Sequence, residues 1–335
     1  MALKGVGVTA GLVALGLISA LAVLAAPLAV TAQSDKGLRI GVLRPAPDGP
    51  VFRQLFEPFK QALRERGFVE GTNLTIELRV RPGSAAEMLA LARELVHLNM
   101  DTILAVSPAG VTAAAQATQS IPIVAIDLES DLKAAGFAVS LSRPTGNVTG
   151  LFLDLPELSG KWIELLKEVV PNLAKVAVVA DRATGRFFRD ELEATTRALR
   201  VQLLSLEVGA PEDLPGAFQS AARQRAGGLL VLPSPVVNSA RKQIAELASK
   251  HKMPAIMPFP GFAEDGGLIA YGPDILAMYG QAGAVVARVL RGAQPREIPI
   301  ERPTRFELIL NLRTAKAFGL KIPSSLLLRA DRVIE

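Results

Sequence analysis

The chain has 335 residues, of which 50% are hydrophobic and 21% charged, and its formal net charge is +5. This composition predicts a packed core, excludes a disordered chain, and gives too small and too dispersed a charge for nucleic-acid binding. Cysteine is absent and the two histidines, His97 and His251, lie far apart, which excludes disulfides, thiol chemistry, a lipobox anchor and a histidine-rich metal site.

The chain begins with the pattern of a secretory leader. Lys4 precedes an uncharged apolar run over residues 5–32, which ends in the small residues Val30 and Ala32. A basic start, an apolar stretch and small residues at a processing site are typical of a signal peptide. We therefore predict a signal peptide over residues 1–33, cleaved near Ala32, and a periplasmic protein. The alternative is a retained membrane anchor, because a run of this length could span a bilayer.

Strands and helices are predicted to alternate after the leader. Runs of branched apolar residues predict strands, and apolar residues on one helical face predict helices. In the first half the strands are near 38–43, 74–80, 102–106 and 121–126, with helices near 51–66, 84–98 and 109–118. In the second half the strands are near 175–180, 201–208, 228–232 and 254–257, with helices near 186–199, 211–224 and 236–250.

This alternation predicts an α/β protein with two doubly wound, Rossmann-like domains, because strands separated by helices form parallel βαβ units. Three further strands near 148–153, 266–272 and 299–311 would connect the domains as a three-segment hinge, and a helix near 274–291 lies between the last two. The predicted N-terminal lobe is 34–150 plus about 272–300. The predicted C-terminal lobe is 151–271 plus about 301–335.

Catalytic and cofactor motifs do not stand out in the sequence. The loop after the first strand lacks dinucleotide and Walker spacing, the glycine-rich residues 5–11 belong to the leader, and no Gly-x-Ser-x-Gly elbow occurs. The acidic pair Glu129 and Asp131 is read as solvated loop acids or helix caps rather than as acid–base catalysts. We therefore predict a protein that is not an enzyme and carries no cofactor or metal.

The fold itself indicates where a ligand would bind. In open parallel sheets, ligands bind beyond the carboxyl ends of the strands, where loops lead into helix N-termini. The loops at these places contain the following candidates: Ser107, Pro108, Ala109, Gly110, Asp127 and Glu129 in the first domain, and Asp181, Arg182, Thr184, Ser234, Asn238 and Phe259 in the second, with Tyr271 on a later strand.

Each candidate has a structural alternative. Ser107 and free N–H groups at a helix start would bind a ligand carboxylate, or Ser107 would simply cap the helix, and Ser234 with Asn238 repeat this ambiguity. Asp127 and Asp181 would accept a hydrogen bond from a ligand ammonium, or have a capping or hinge role. Arg182 would pair with an acidic ligand, or face solvent. Phe259 and Tyr271, together with Phe52 and Phe262, would line an apolar pocket, or pack in the core.

Five segments resemble a known family: residues 68–74 (FVEGTNL), 142–150 (SRPTGNVTG), 266–274 (GGLIAYGPD), 303–311 (PTRFELILN) and 330–335 (ADRVIE). They are similar to the ABC-transporter substrate-binding proteins that include tryptophan-binding members. The resemblance implies a type I periplasmic binding protein fold and delivery of a solute to a permease driven by a separate ATPase. It also implies ligand contact at Ser107, Pro108 and Ala109. The sequence departs from the family pattern at residues 127–130.

We therefore predict a monomeric, non-catalytic receptor for a small solute of the amino-acid-like or aromatic carboxylate class. The ligand would lie in the cleft between the domains. The alternative is an extracytoplasmic sensory module for a signalling receptor. A secreted enzyme would need a coherent catalytic constellation, and a LacI-like repressor would need a helix-turn-helix where the leader lies.

Overall fold

A computed structural model describes residues 37–130, 132, 135–153 and 155–335. The predicted signal peptide lies outside the described residues, and so does Asp131 of the acidic pair considered above. Within the described part of the chain, no helix is both long enough and apolar enough to cross a bilayer.

Short strands and helices alternate through the first half of the described chain. In chain order they are β1 (Leu38–Arg44), α1 (Pro50–Arg64), β2 (Leu74–Val80), α2 (Ala85–His97), β3 (Thr102–Val106), α3 (Ser107–Ala117), β4 (Ile123–Asp127), β5 (Ala138–Ser140), β6 (Arg143–Pro144) and β7 (Val148–Phe152). The pair β5 and β6 forms a small antiparallel hairpin in the connection between β4 and β7.

The second half continues the alternation. Its elements are α4 (Ser159–Val169), β8 (Lys175–Ala180), α5 (Arg182–Ala198), β9 (Gln202–Glu207), α6 (Leu214–Arg223), β10 (Gly228–Val231), α7 (Pro235–Ser239), α8 (Arg241–Lys250), β11 (Ala255–Met257), α9 (Gly261–Glu264), β12 (Ile269–Pro273), α10 (Ile275–Leu290), β13 (Phe306–Asn311), α11 (Leu312–Phe318), α12 (Ser324–Leu327) and β14 (Arg332–Ile334). Short 3-10 turns occur at Leu155–Leu158, Pro211–Asp213 and Pro295–Glu297.

The strands form two main sheets. The first is a five-stranded parallel sheet with the order β2-β1-β3-β4-β7. The second has seven strands in the order β14-β13-β12-β11-β10-β8-β9, in which β12 and β13 run antiparallel. This arrangement confirms the predicted α/β class with two doubly wound sheets. We call each sheet with the helices packed on it a lobe; the residue boundaries predicted for the lobes stay a prediction.

Helix α10 completes the first lobe although it follows β12 of the second sheet. It packs along α1 and also contacts β3, β4 and β7. A side chain on Gly283 would place its Cβ 2.7 Å from the carbonyl oxygen of Phe59 and 2.9 Å from the Cβ of Ala62. The two helices can therefore approach this closely because residue 283 is glycine.

The chain returns to the second sheet through a segment that runs beside β7. The backbone N–H of Glu301 donates to the carbonyl of Gly150 at 2.9 Å, and the N–H of Phe152 donates to the carbonyl of Glu301 at 3.0 Å. In addition, the hydroxyl of Thr149 donates to the buried carbonyl of Ile298 at 2.8 Å. These bonds fix the returning segment against the edge of the first sheet.

The structure corrects several element boundaries. The strand predicted over 299–311 begins only at Phe306, because Pro299 and Pro303 have no N–H to donate to a ladder. The helix predicted over 236–250 is two helices that meet at Ala240. Helix α4 was not predicted, although its buried residues Trp162, Ile163, Leu166 and Val169 have helical spacing.

Candidate functional site

The order of each sheet reverses at one place, and candidate residues lie there. Strands β1 and β3 are neighbours in the first sheet, and β8 and β10 are neighbours in the second. Ligands bind beyond the carboxyl ends of parallel strands at such reversals. We use the term rim for the loops and helix starts that follow β3, β4, β8 and β10: residues 107–110, 127–130, 181–184 and 234–238.

Ser107 is the first residue of α3 and does not cap it. Val106 occupies the N-cap position and makes no side-chain capping bond. Ser107 has a φ of 69°, in the left-handed region that favours glycine, and its hydroxyl oxygen is buried with no hydrogen-bond partner among the described residues. The capping alternative for Ser107 is therefore wrong. A buried hydroxyl without a partner is unusual, so the Ser107 hydroxyl is a group at the rim that a ligand could hydrogen-bond.

The next three residues form the first turn of α3. Pro108 lies in the first turn, where a missing N–H costs no helical bond, and Ala109 is exposed. Gly110 is buried, and a Cβ there would lie 3.1 Å from the carbonyl oxygen of Leu43. Gly110 therefore allows α3 to pack closely on the end of β1.

In the corresponding rim loop of the second lobe, the two candidates Ser234 and Asn238 have different roles. Ser234 is buried and its hydroxyl oxygen accepts a 3.3 Å hydrogen bond from the N–H of Val237, so it is the N-cap of α7. The amide oxygen of Asn238 is buried without a hydrogen-bond partner in the described chain. The capping alternative holds for Ser234, whereas Asn238 presents an unsatisfied acceptor.

Asp127 organises the loop after β4. One carboxylate oxygen accepts from the N–H groups of Glu129 and Ser130, both at 3.0 Å, and the other accepts from the Ser130 hydroxyl at 2.6 Å. Burial raises the pKa of the Asp127 carboxyl, although these hydrogen bonds act in the opposite direction. Asp127 therefore positions Glu129 by forming a side-chain turn.

Glu129 lies in the electrostatic field of carboxylates from both lobes. Burial raises the pKa of its carboxyl to about 7, and the negative charges of Asp127 and Asp181 add to this effect. Asp181 belongs to the second lobe, where its carboxylate accepts from the N–H of Thr184 at 2.9 Å at the start of α5. The carboxylates of Asp127 and Glu129 in the loop after β4 and of Asp181 after β8 therefore lie close enough to influence one another. No group of three or more such side chains in the described chain is arranged to hold a metal ion.

Comparison with known proteins identifies the family. Residues 40–334 match the family model described as ABC transporter substrate binding protein. The chain belongs to this family. A tyrosine-binding protein of Clostridioides difficile strain R20291 is 26% identical over 296 residues, which cover 86% of this chain and 83% of that protein. The predicted resemblance is therefore confirmed.

Solved structures show the fold of this substrate-binding protein. A conserved domain protein of Vibrio cholerae matches with a TM-score of 0.79 and 24% identity, over 89% of this chain and 100% of that one. The ABC domain from Streptococcus pneumonia in complex with L-Trp has the same TM-score and coverage at 20% identity. These matches confirm the type I periplasmic binding protein fold.

Two of the predicted ligand-binding residues of this substrate-binding protein, Arg182 and Thr184, lie at the edge of the rim. Arg182 is exposed and donates to Glu207 at 3.2 Å, which agrees with the solvent-facing alternative. Thr184 contributes its backbone N–H to Asp181. Neither side chain makes a described contact to Glu129.

The aromatic candidates pack within the second lobe. Phe259 is half-buried against the hydrophobic core. The Tyr271 ring stacks on Phe306 with centroids 6.0 Å apart. Burial raises the pKa of the Tyr271 hydroxyl, with smaller effects from Arg329 and Asp331 of the C-terminal segment. The structure therefore places Tyr271 on the body of a central strand, beside the end of the chain.

A cavity of about 710 Å³, which no sequence pattern predicted, lies beside the returning segment. Its lining comes from the loop after β4, the β5–β6 hairpin, the end of β7, the segments near residues 157 and 302, and α5. We call it the hinge cavity; its lining includes Ser130, Ser140, Phe152, Glu157, Phe187 and Arg302. No local pattern predicts it, because its walls are brought together from distant parts of the sequence.

Proposed function

We propose that the protein is the extracytoplasmic solute-binding component of an ABC importer. It acts as a monomer that captures a small amino-acid-like molecule at the rim and delivers it to a permease driven by a separate ATPase. Membership of the substrate-binding family supports this role. The observation that carries the choice of ligand is Glu129, a half-buried carboxylate that faces Asp127 and Asp181.

The rim favours a ligand that carries an ammonium group. Among the described residues, no cation or hydrogen-bond donor contacts the Glu129 carboxylate, and its neighbours Asp127 and Asp181 are also acidic. A buried carboxylate is stabilised when a cation approaches it. The ammonium group would therefore lie between the loops after β4 and β8. Of the two ligand classes that the sequence left open, an amino acid fits this requirement better than a simple aromatic carboxylate.

The ligand carboxylate would lie at the start of α3. The unpartnered Ser107 hydroxyl and the free N–H groups of the first helical turn provide hydrogen-bond donors. The positive end of the helix dipole stabilises a negative charge by about 0.3–1 kcal/mol, and by up to about 2 kcal/mol when the site is partly buried. The ligand would then bridge both lobes.

A ligand that contacts both lobes would be held by a change in how the lobes are arranged. A ligand that contacts both lobes realises its full binding energy only when the rim loops of both lobes surround it, so binding raises the population of that arrangement. The permease would recognise the arrangement of lobes that the ligand stabilises. The relatives agree with the proposed ligand class: one is named a tyrosine-binding protein and another was solved with L-Trp.

Calorimetry with matched ligands tests the proposal. L-Tyrosine would be compared with tyramine, which lacks the carboxylate, and with 3-(4-hydroxyphenyl)propionate, which lacks the ammonium group. We expect Glu129→Gln to raise the Kd for L-tyrosine by about tenfold or more, because a charge-assisted contact is lost. The exposed control Glu212→Gln should leave the Kd unchanged.

Two calorimetric results would contradict the ligand assignment. One is equal affinity for L-tyrosine and for its analogue without the ammonium group. The other is an unchanged Kd in Glu129→Gln. Native mass spectrometry of the purified mature protein would in parallel identify any solute that is retained from the cell, and an amine-free solute would also contradict the proposal.

A further inference from the structure

We propose that the hinge cavity is a second small-molecule site, which takes an uncharged aromatic molecule bearing a hydroxyl group. This site goes beyond the proposed function, because Ser130 is the one residue of the rim among the described lining residues, and none of the candidate ligand-binding residues lines the cavity. Its volume of about 710 Å³ lies within the range of roughly 300–1,000 Å³ that is typical of small-molecule sites.

The walls of the cavity suit an apolar ring. Phe152 is 1% exposed and ends β7, while Phe187 is half-buried on α5 of the second lobe. Leu132, Leu141 and Leu153 complete the apolar lining. A ring between Leu141 and Phe187, which are both half-buried, would replace water against aliphatic and aromatic surface, which is favourable in proportion to the apolar area covered.

The charged residues on the described wall neutralise each other. Arg302 donates to both carboxylate oxygens of Glu157, at 2.6 and 3.1 Å. A two-point arginine–carboxylate pair already satisfies the charges of both partners. A charged ligand would therefore lose hydration without meeting an unmatched counter-charge on this wall, whereas an uncharged ligand leaves the pair intact.

Serine hydroxyls provide the polar contact. The hydroxyl oxygens of Ser140 and Ser142 are 3.1 Å apart, so one donates to the other and one hydroxyl hydrogen of the pair remains to donate elsewhere. Ser130 uses its hydrogen to bond Asp127 at 2.6 Å and keeps lone pairs that accept. A ligand hydroxyl both donates and accepts, and so matches this combination.

The site is connected to the rim on both sides. Ser130 is bonded to Asp127, which positions Glu129, and Phe187 lies on α5, whose first turn is held by Asp181. A molecule that contacts Leu141 beside the first sheet and Phe187 on α5 touches both lobes. Its occupancy therefore favours one arrangement of the lobes and is thermodynamically coupled to solute binding at the rim.

The fluorescence of Trp162 reports occupancy. It is the single tryptophan of the sequence, its ring centroid lies 6.1 Å from that of Phe188, and Phe188 lies 5.5 Å from Phe187. Titration of the whole mature protein with benzyl alcohol should give a saturable change in emission. Benzoate, which has the same ring but a negative charge, should bind at least about tenfold more weakly.

Variants of the hairpin locate the site. Ser140→Phe fills the cavity and should remove the saturable change, and Ser142→Phe provides a second filling variant on an exposed position. The matched control is Val139→Phe, because Val139 is 66% exposed on the same short strand and does not line the cavity. Far-ultraviolet circular dichroism should be the same for all three variants.

Several results would overturn the proposal. These are an absence of saturation with the unsubstituted protein, equal binding of benzoate and benzyl alcohol, or equal loss in Val139→Phe and Ser140→Phe. Displacement of benzyl alcohol by L-tyrosine, one molecule for one, would assign the cavity to the solute site instead. Persistence of benzyl alcohol binding in Glu129→Gln supports a separate site even if that variant no longer binds any amino acid.

Discussion

The indole N–H of Trp162 donates a 2.8 Å hydrogen bond to the backbone carbonyl of Tyr271. This bond joins α4 to β12, a strand near the middle of the second sheet. Trp162 is fully buried, so the bond satisfies a polar group of the side chain that would otherwise be costly in the core. The largest side chain of the core is therefore fixed in orientation as well as in position.

Trp162→Phe should lower the free energy of unfolding by roughly 2–4 kcal/mol, because it leaves both a cavity and an unpaired carbonyl at Tyr271. The measurement is urea unfolding followed by far-ultraviolet circular dichroism, since the variant has no tryptophan. Leu328→Ala is the control, because Leu328 is 88% exposed and its truncation should change stability by less than about 0.5 kcal/mol. Equal effects of the two substitutions would refute the structural role of Trp162.

Two glycines of α10 should respond in opposite directions to alanine. Gly283→Ala places a Cβ against the backbone of Phe59 and should destabilise the protein by roughly 1–3 kcal/mol. At Gly280 the nearest atom to an added Cβ is 3.8 Å away on Pro58, an ordinary contact. Gly280→Ala should therefore stabilise by about 0.5–1 kcal/mol through helix propensity. Thermal unfolding of both variants checks the pair, and two shifts of the same sign would contradict the packing described here.

Glu129 should make stability depend on pH. Its pKa is about 7 in the folded protein, above the ordinary value of 4.5, so the folded state binds a proton more tightly than the unfolded state. The free energy of unfolding should therefore fall as pH rises from about 4.5 to 7, by up to roughly 3 kcal/mol, and then level off. Urea unfolding across this range should show a smaller slope in Glu129→Gln than in the parent protein. The pKa of Asp127 is raised by burial in the variant as in the parent protein, so the comparison between the two proteins reports on Glu129. A parallel pH profile in the variant would exclude this account.

At position 107 the usual order of stability, in which an alanine variant of a helical residue is more stable than a glycine variant, should be reversed. Glycine in a helix is normally less stable than alanine by about 1 kcal/mol, but a left-handed residue with a Cβ costs roughly 1–2 kcal/mol. Because Ser107 has a φ of 69°, Ser107→Gly should be as stable as Ser107→Ala or more stable. Both variants lack the hydroxyl and should bind the solute equally weakly in calorimetry. A glycine variant that is clearly less stable than the alanine variant would show that the strain is absent.

The sequence predicts the two sheets well because their central strands are buried on both faces and consist of short apolar runs. In β4 all five residues are buried, and the same is true of β7. The returning segment before β13 is predicted poorly. It contains apolar residues as a strand does, but it pairs with its neighbour only through one isolated bridge, between Leu151 and Glu301. Apolar patterning identifies burial, whereas pairing depends on the partner strand.

The site shows a similar limit. The position of the rim follows from the topology, and Ser107, Asp127 and Asp181 are found from the sequence because they follow apolar strands. Their roles depend on contacts that have no sequence signal: the left-handed φ of Ser107, the three hydrogen bonds to Asp127, and the field of Asp181 at Glu129. The hinge cavity depends on such contacts entirely.

The placement of α10 has a consequence for how the molecule is made. Its residues are synthesised after five of the seven strands of the second sheet, yet they cover α1 at the beginning of the described chain. A nascent chain that stops short of Leu290 leaves apolar surface of the first lobe open to water. This surface is therefore covered only late in synthesis, and a cut between the two sheets leaves α1 and α10 on different fragments.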